Sequence, residues 1–226
     1  MINFDFKKYA ENNWNEYLET VTEVSMPSNG VVFIESEEKI YNFDKINEML
    51  FVAEYNSASV DGIYFRNDEV FLVEFKTGFY QKIRKNNFDL TKARCEFKGS
   101  ECINYWNLFF ENQDRKIKEL ISSIKQKAIE SYVTINEDIA PFCINKKSLK
   151  FNLVVVIDAN ENEQEVGILE ELSGRNNSML SRVRKSLKRF MVKKRYLKSY
   201  YFDDISVFGA ESFQKHINKQ QCVTPR

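Results

Sequence analysis

The amino-acid sequence predicts an α/β fold, with a small mixed sheet flanked by helices and a core element order of αβββαβ. Two short runs rich in β-branched and aromatic residues, 60–65 and 70–75, have the composition of strands. Residues 101–132 carry apolar side chains at helical spacing, and the apolar run 151–157 has the length of a buried strand. Strand and helix patterns that alternate in this way are typical of α/β proteins.

The elements before the first of these runs can be assigned in chain order. Residues 6–24 have apolar side chains at helical spacing and are expected to form the first helix. Two short strands are expected around 31–34 and 39–43. Residues 44–55 carry the apolar stripe of a second helix, for which Asp44 is the predicted N-cap.

The runs 60–65 and 70–75 are expected to form a β-hairpin, and its register places two acidic residues together. A two-residue loop between the strands pairs Arg66 with Glu69, and the same register sets Asp61 opposite Glu74. A three-residue loop would instead turn the first of these carboxylates to the other face of the sheet.

Two opposed carboxylates need a positive partner. Side chains directly opposite each other across a strand pair lie roughly 5 Å apart, where like charges destabilise the sheet. We therefore predict a Mg²⁺ ion bound by Asp61, Glu74 and the backbone carbonyl of Phe75, with Mn²⁺ able to substitute. Lys76 lies on the same face as Glu74. Its ammonium group is expected to orient a water molecule that attacks a phosphate. The alternative is a structural salt-bridge face on a half-exposed strand.

This pattern, Asp61 followed by Glu74-Phe75-Lys76, resembles the PD-(D/E)xK nuclease superfamily. The segment 71–78 resembles the third motif of its RecB-like branch, although the helix histidine of that branch and its later Gln and Tyr motif have no counterpart here. The close resemblance covers about 20 residues. It implies a restriction-endonuclease-like core, dependence on Mg²⁺, and hydrolysis of nucleic-acid phosphodiester bonds. Asp61 and Glu74 would be the metal ligands and Lys76 the catalytic lysine.

The resemblance implies two further positions near the metal. Many members have a glutamate on the helix before the aspartate, for which Glu48 and Glu54 are candidates, and Glu54 is preferred because it is nearer to the strand. A polar residue on the core helix, here 101–132, often faces the metal, and Lys125 and Gln126 are candidates. A break in this helix near Asn112 is left open.

Acidic and basic residues lie in separate segments in the C-terminal part of the chain. Residues 158–171 contain six acidic and no basic side chains, whereas 175–198 contain ten Lys or Arg and no acid. The basic segment also has an apolar stripe, which predicts an amphipathic helix docked on the core. Its outer face is a candidate phosphate-binding surface, and a solvated helix face is the alternative. The candidate nucleic-acid-binding residues are Arg182, Lys185, Lys188, Arg189 and Lys193. A second basic stretch, 76–98, is a candidate strand-guiding surface or a solvated loop.

Composition sets the limits of the whole chain. Its 226 residues are 43% hydrophobic and can bury one sizeable core, so a single domain spanning 1–226 is expected. The core is predicted at about 44–158, and 159–226 is expected to be a helical, basic C-terminal extension. No apolar segment has the length of a leader or a membrane span, which predicts a cytoplasmic protein without a membrane partner. The scattered cysteines and single histidine exclude a zinc finger.

The sequence therefore predicts a Mg²⁺-dependent nuclease whose partner is DNA. RNA is the alternative substrate, since an RNase would share every one of these features. A non-catalytic nucleic-acid-binding or assembly subunit with a nuclease-like fold is the alternative function. A partner protein and a homodimer are both left open.

Overall fold

The computed structural model describes residues 6–26, 30, 32–51, 57–66, 69–77, 100–139, 150–158, 179–192 and 201–218. These residues form an α/β structure in which a six-stranded mixed sheet is flanked by helices. The predicted fold class is confirmed at this level.

The described elements have the following bounds. The helices are α1 Phe6–Asn13, α2 Val21–Val24, α3 Phe43–Leu50, α4 Ser100–Val133, α5 Met179–Met191 and α6 Ala210–Asn218. The strands are β1 Leu18–Thr20, β2 Lys39–Asn42, β3 Gly62–Arg66, β4 Glu69–Lys76, β5 Lys150–Ile157 and β6 Asp204–Gly209. A 3-10 turn, Asn15–Tyr17, precedes β1, and a π-helical turn, Thr134–Ile139, follows α4.

The strands lie in the sheet in their chain order, from β1 at one edge to β6 at the other. Strands β1 to β4 pair antiparallel, whereas β5 pairs parallel with both β4 and β6. Parallel neighbours need a crossover connection, and α4 and α5 lie in the segments that connect β4 to β5 and β5 to β6. The central strands β4 and β5 are consequently the most buried.

Helices cover both faces of the sheet. On one face of the sheet, buried apolar side chains of α1, α3, α4 and α5 share a core with Val70 and Leu72 of β4. On the other face, α2 and α6 share a second core with Val73 and Phe75 of the same strand. Glu74 has the same parity as Val70 and Leu72, so its side chain projects toward α4.

The central predictions are confirmed. In the hairpin, Arg66 pairs with Glu69 and Gly62 pairs with Val73, which is the register of a two-residue loop. Helix α4 is continuous past Asn112, and its predicted apolar stripe is buried. Strand β5 follows it as expected. Between α3 and α4 the described residues contain two strands, where the expected core has three.

Several predictions about the first part of the chain were wrong. The helix expected over 6–24 ends at Asn13, because Trp14 turns into the core and the chain continues as β1. Residues 32–34 do not form a strand. The N-cap of α3 is Asn42, whose side chain accepts a hydrogen bond from the backbone N–H of Lys45, and Asp44 lies within the first turn.

The segment 159–226 is more than a helical extension. Its described part contains α5, as predicted, but also β6, which adds a sixth strand beside β5. Helix α6 then packs on the opposite face of the sheet through Phe213 and Ile217. Part of the sheet therefore lies beyond the predicted core limit of residue 158.

Candidate functional site

The hairpin brings the two predicted carboxylates together. Asp61 directly precedes β3, and one of its oxygens, Oδ2, accepts a hydrogen bond from the backbone N–H of Phe75 at 2.5 Å. This contact fixes Asp61 beside Glu74 at the end of β4. The carbonyl of a strand residue points to the same side as its N–H, so the Phe75 carbonyl is also directed toward Asp61.

Glu74 is fully buried and is surrounded by positive charge. Its Oε1 lies 2.6 Å from the Nζ of Lys76 and 3.2 Å from the Nζ of Lys127, and its side chain is 0% exposed. Among the described residues, neither oxygen of Glu74 has a hydrogen-bond partner with acceptable angles, so these contacts are ion pairs. A buried carboxylate with unused acceptor capacity is costly unless a further cation is bound.

Lys127 joins the two carboxylates. Its Nζ lies 3.0 Å from Oδ1 of Asp61 as well as 3.2 Å from Oε1 of Glu74. Its side chain extends from α4, the helix that lies over this face of the sheet. The helix residue that contacts the carboxylates is therefore Lys127; Gln126 is exposed and Lys125 is half-buried.

One face of α4 fixes this arrangement. Ser123, Lys127, Glu130 and Ser131 recur at helical spacing, so they lie on the same side. Ser123 Oγ accepts a hydrogen bond from the Nζ of Lys76 at 3.3 Å. Glu130 and Ser131 accept hydrogen bonds from the backbone N–H groups of residues 58 and 60, respectively. The segment that carries Asp61 is thereby attached to the helix that carries Lys127.

Helix α3 supports the same segment from its other side. Asp44 accepts a hydrogen bond from the hydroxyl of Ser59, two residues before Asp61. Asn47 is buried and exchanges hydrogen bonds with Ser57, donating to its carbonyl at 2.9 Å and accepting from its hydroxyl at 3.1 Å. Residues 57–61 are consequently held between α3 and α4.

The structure also changes the choice of the upstream acid. Asp44 lies close enough to Asp61 for its charge to raise the pKa of that carboxyl. Glu48 is exposed on α3, and Glu54 lies outside the described residues. Among the acids of α3, Asp44 is therefore the one directed toward the site.

Burial dominates the electrostatics of the cluster. The pKa of Glu74 is raised to about 7, chiefly by burial and then by the charge of Asp61, against the opposing effect of the two lysines. Burial also raises the pKa of Asp61, with Lys127 opposing it. Burial lowers the pKa of Lys127, but the charges of Asp61 and Glu74 outweigh this effect and hold it above its ordinary value.

The donor set fits a hard divalent cation in part. Two carboxylates and a backbone carbonyl are oxygen ligands of the type that Mg²⁺ takes while keeping several waters. In the described part of the chain, no group of three or more His, Cys, Asp or Glu side chains is arranged to hold a metal ion. A metal here would therefore depend on water or a substrate phosphate for its remaining ligands.

The predicted nucleic-acid-binding residues divide into three groups. Arg182 pairs with Asp114 of α4, and the Nζ of Lys188 lies 2.6 Å from Oδ1 of Asp204 at the start of β6. Lys185 and Arg189 are exposed on α5. Lys193 lies outside the described residues, as does the basic stretch 76–98 beyond residue 77. The exposed part of α5 is therefore the described portion of the predicted basic surface.

Comparisons with protein-family models, with curated proteins and with solved structures give no match for this chain. None of the described helices has the length and apolar character needed to span a membrane.

Proposed function

We propose that this protein is a metal-dependent nuclease that hydrolyses phosphodiester bonds of DNA, with a restriction-endonuclease-like core of the PD-(D/E)xK superfamily. The observation that carries the proposal is the pairing of the fully buried Glu74 with the partly buried Asp61, side by side, with the Nζ of Lys76 2.6 Å from the Glu74 carboxylate. Burying two like charges next to each other destabilises a fold, and such clusters of perturbed carboxyls mark functional sites.

Each residue of the cluster has a distinct role in the proposed reaction. Asp61, Glu74 and the Phe75 carbonyl would hold Mg²⁺, and Asp44 would help to position Asp61 through its hydrogen bond with Ser59. When bound, the metal lowers the pKa of a coordinated water and neutralises charge on the phosphate. Lys76 orients the attacking water and stabilises the negative charge that develops on the scissile phosphate.

The order of elements supports the same proposal. Helix α3, the β3–β4 hairpin, helix α4 and strand β5 follow one another in the order of the expected core, with one strand fewer before α4 among the described residues, and the site lies where β4 ends beside α4. By the sequence resemblance, Asp61, Glu74 and Lys76 correspond to the family's three motif residues. The Lys76 side chain is 19% exposed, so a phosphate can approach it from solvent.

A specific observation favours a second candidate, a non-catalytic subunit with a nuclease-like fold. Two ammonium groups, those of Lys76 and Lys127, already balance the two carboxylates without a metal. Such a subunit would act in a larger assembly through a partner protein or a second copy. An RNase is the third candidate and differs from the first only in its substrate.

A cleavage assay separates these candidates. The purified protein is incubated with supercoiled plasmid, linear duplex DNA, single-stranded DNA and RNA in Mg²⁺ or Mn²⁺, beside Asp61→Asn and Lys76→Met. Glu48→Gln is the matched control, since it removes an exposed carboxylate from α3. We expect metal-dependent DNA cleavage that both site variants lose and the control keeps. Cleavage of RNA alone would make it an RNase, and folded protein without cleavage would favour the non-catalytic subunit.

A further inference from the structure

We propose that the ammonium group of Lys127 is the resident cation of the metal-free site, and that a divalent metal binds between Asp61 and Glu74 by displacing it. This inference rests on the proposed function, because it concerns how the same site takes up its metal. It makes Lys127 a positioning residue that controls metal affinity.

The position of Lys127 carries the inference. Its Nζ lies 3.0 Å from an oxygen of Asp61 and 3.2 Å from an oxygen of Glu74, so it occupies the space between the two carboxylates. A metal held by both carboxylates would need that space. Lys76 is placed differently, since it contacts Glu74 and donates a hydrogen bond to Ser123.

The charges of the cluster favour displacement over addition. When both carboxyl groups are ionised, Asp61 and Glu74 balance the ammonium groups of Lys76 and Lys127 that contact them in the metal-free protein. A divalent metal added to all four would leave two uncompensated positive charges in a buried site, which is strongly unfavourable. If Lys127 leaves and Lys76 stays, a single positive charge remains, and one phosphodiester neutralises it. Metal and nucleic acid are therefore expected to bind cooperatively.

Lys127 also has a path out of the site. Its side chain is 26% exposed and extends from the surface of α4, so rotation about its four-carbon stem carries the ammonium group into water without backbone movement. Glu74, by contrast, is fully buried and has no such freedom. The exchange of Lys127 for a metal requires only one side chain to move.

The first test compares Mn²⁺ binding to the wild type, Lys127→Met and Lys118→Met by titration calorimetry and by electron paramagnetic resonance. Lys118 is exposed on the same helix and serves as the matched control. We expect Lys127→Met to bind Mn²⁺ at least about tenfold more tightly than the wild type, because the competing ammonium is absent. Lys118→Met should bind as the wild type does. Equal or weaker binding by Lys127→Met would overturn the inference.

A second measurement uses the unaltered protein, in case Lys127→Met does not fold. The reactivity of Lys127 toward reductive methylation is followed by mass spectrometry with and without Mg²⁺. Displacement should raise its reactivity several-fold, with Lys118 unchanged, whereas unchanged or lowered reactivity of Lys127 would contradict it.

The outcomes also separate this inference from the proposed function. If metal binding requires Asp61 but has the same affinity in Lys127→Met as in the wild type, the nuclease proposal stands and the displacement of Lys127 is overturned. Binding by Lys127→Met alone, with none by the wild type, would show that Lys127 occupies the site but would overturn its displacement by metal and count against a metal-dependent enzyme. Binding by neither would overturn both.

Discussion

Glu74 shows, as a single residue, why this cluster is costly as a purely structural feature of the strand. Its carboxyl group is fully buried, its pKa is raised to about 7, and the two lysines that face it do so through ion pairs. A neutral side chain of similar size would avoid the cost of burying this charge. The presence of a buried carboxyl group at this position therefore favours a function that needs an ionisable oxygen ligand.

The raised pKa of Glu74 gives a prediction about stability and pH in the absence of metal. Between its ordinary value of 4.5 and about 7, the unfolded chain releases the proton while the folded protein keeps it. The free energy of unfolding should therefore fall as pH rises through this window, by roughly 3 kcal/mol. Urea unfolding of the wild type and Glu74→Gln from pH 4 to 8 measures the effect. Because burial also raises the pKa of Asp61, the slope should be smaller in Glu74→Gln and not abolished. An equal or steeper slope in that variant would contradict the shift.

At this scale the sequence predicts three of the site residues and misses a fourth. Asp61, Glu74 and Lys76 follow from strand alternation and a two-residue loop, which are local rules. Lys127 does not, because helical spacing defines a face of α4 but not how that face is rotated against the strand. The rotation depends on the contact between Ser131 and Val60, which are far apart in the chain.

The docking of α4 on the segment that precedes β3 yields a prediction at the scale of elements. Ser131→Ala would leave the buried backbone N–H of Val60 without an acceptor, which destabilises a protein by about 1–3 kcal/mol. Urea unfolding measures this loss, and Mn²⁺ binding should weaken with it because Asp61 directly follows Val60. Ser122→Ala is the control on the same helix, where the exposed hydroxyl should contribute less than about 0.5 kcal/mol. Equal losses in the two variants would contradict the proposed docking.

The packing of β2 against the start of β3 gives a second prediction about elements. A Cβ added to Gly62 would lie 2.7 Å from Cδ1 of Ile40, a buried side chain. Gly62→Ala should therefore lower the free energy of unfolding by about 1–2 kcal/mol. Ile40→Val removes that Cδ1 atom, so the glycine substitution should cost at least about 0.5 kcal/mol less in this background. Additive effects in a double-mutant cycle would show that the contact is not the cause.

The elements differ in how well local sequence predicts them. The hairpin and α4 follow from short-range patterns, which their tertiary contacts support. The helix expected over 6–24 is interrupted because burial of Trp14 outweighs the helical spacing of its neighbours. The sequence does contain a signal for the start of α2, since Thr20 and Glu23 form a capping box.

At the scale of the whole molecule, the charge of the chain is balanced but unevenly distributed. Strand β6 was not predicted because it is an edge strand whose residues are mostly half-buried, without the continuous apolar run of β5. Helix α5 packs beside it through Val183 and Leu187, which turns its basic residues outward. The resulting surface is the part of the molecule that the proposed function assigns to DNA.

That assignment predicts a specific dependence on salt. Lys185 and Arg189 are exposed on α5, so reversing the charge of both side chains tests this surface with little risk to the fold. Lys185→Glu combined with Arg189→Glu should weaken DNA binding and reduce the slope of log affinity against log salt by about 2, because two phosphate contacts are lost.

A matched double variant separates this surface from a general effect of net charge. Lys7→Glu combined with Lys8→Glu makes the same change in charge on the exposed side of α1, where no nucleic-acid surface is proposed. Fluorescence anisotropy with a labelled duplex from 50 to 300 mM salt, roughly the range over which phosphate contacts dominate binding, measures both variants. Loss confined to the α5 variant supports a local surface. Equal loss in both would assign the effect to net charge, and no loss in either would place DNA binding elsewhere on the protein.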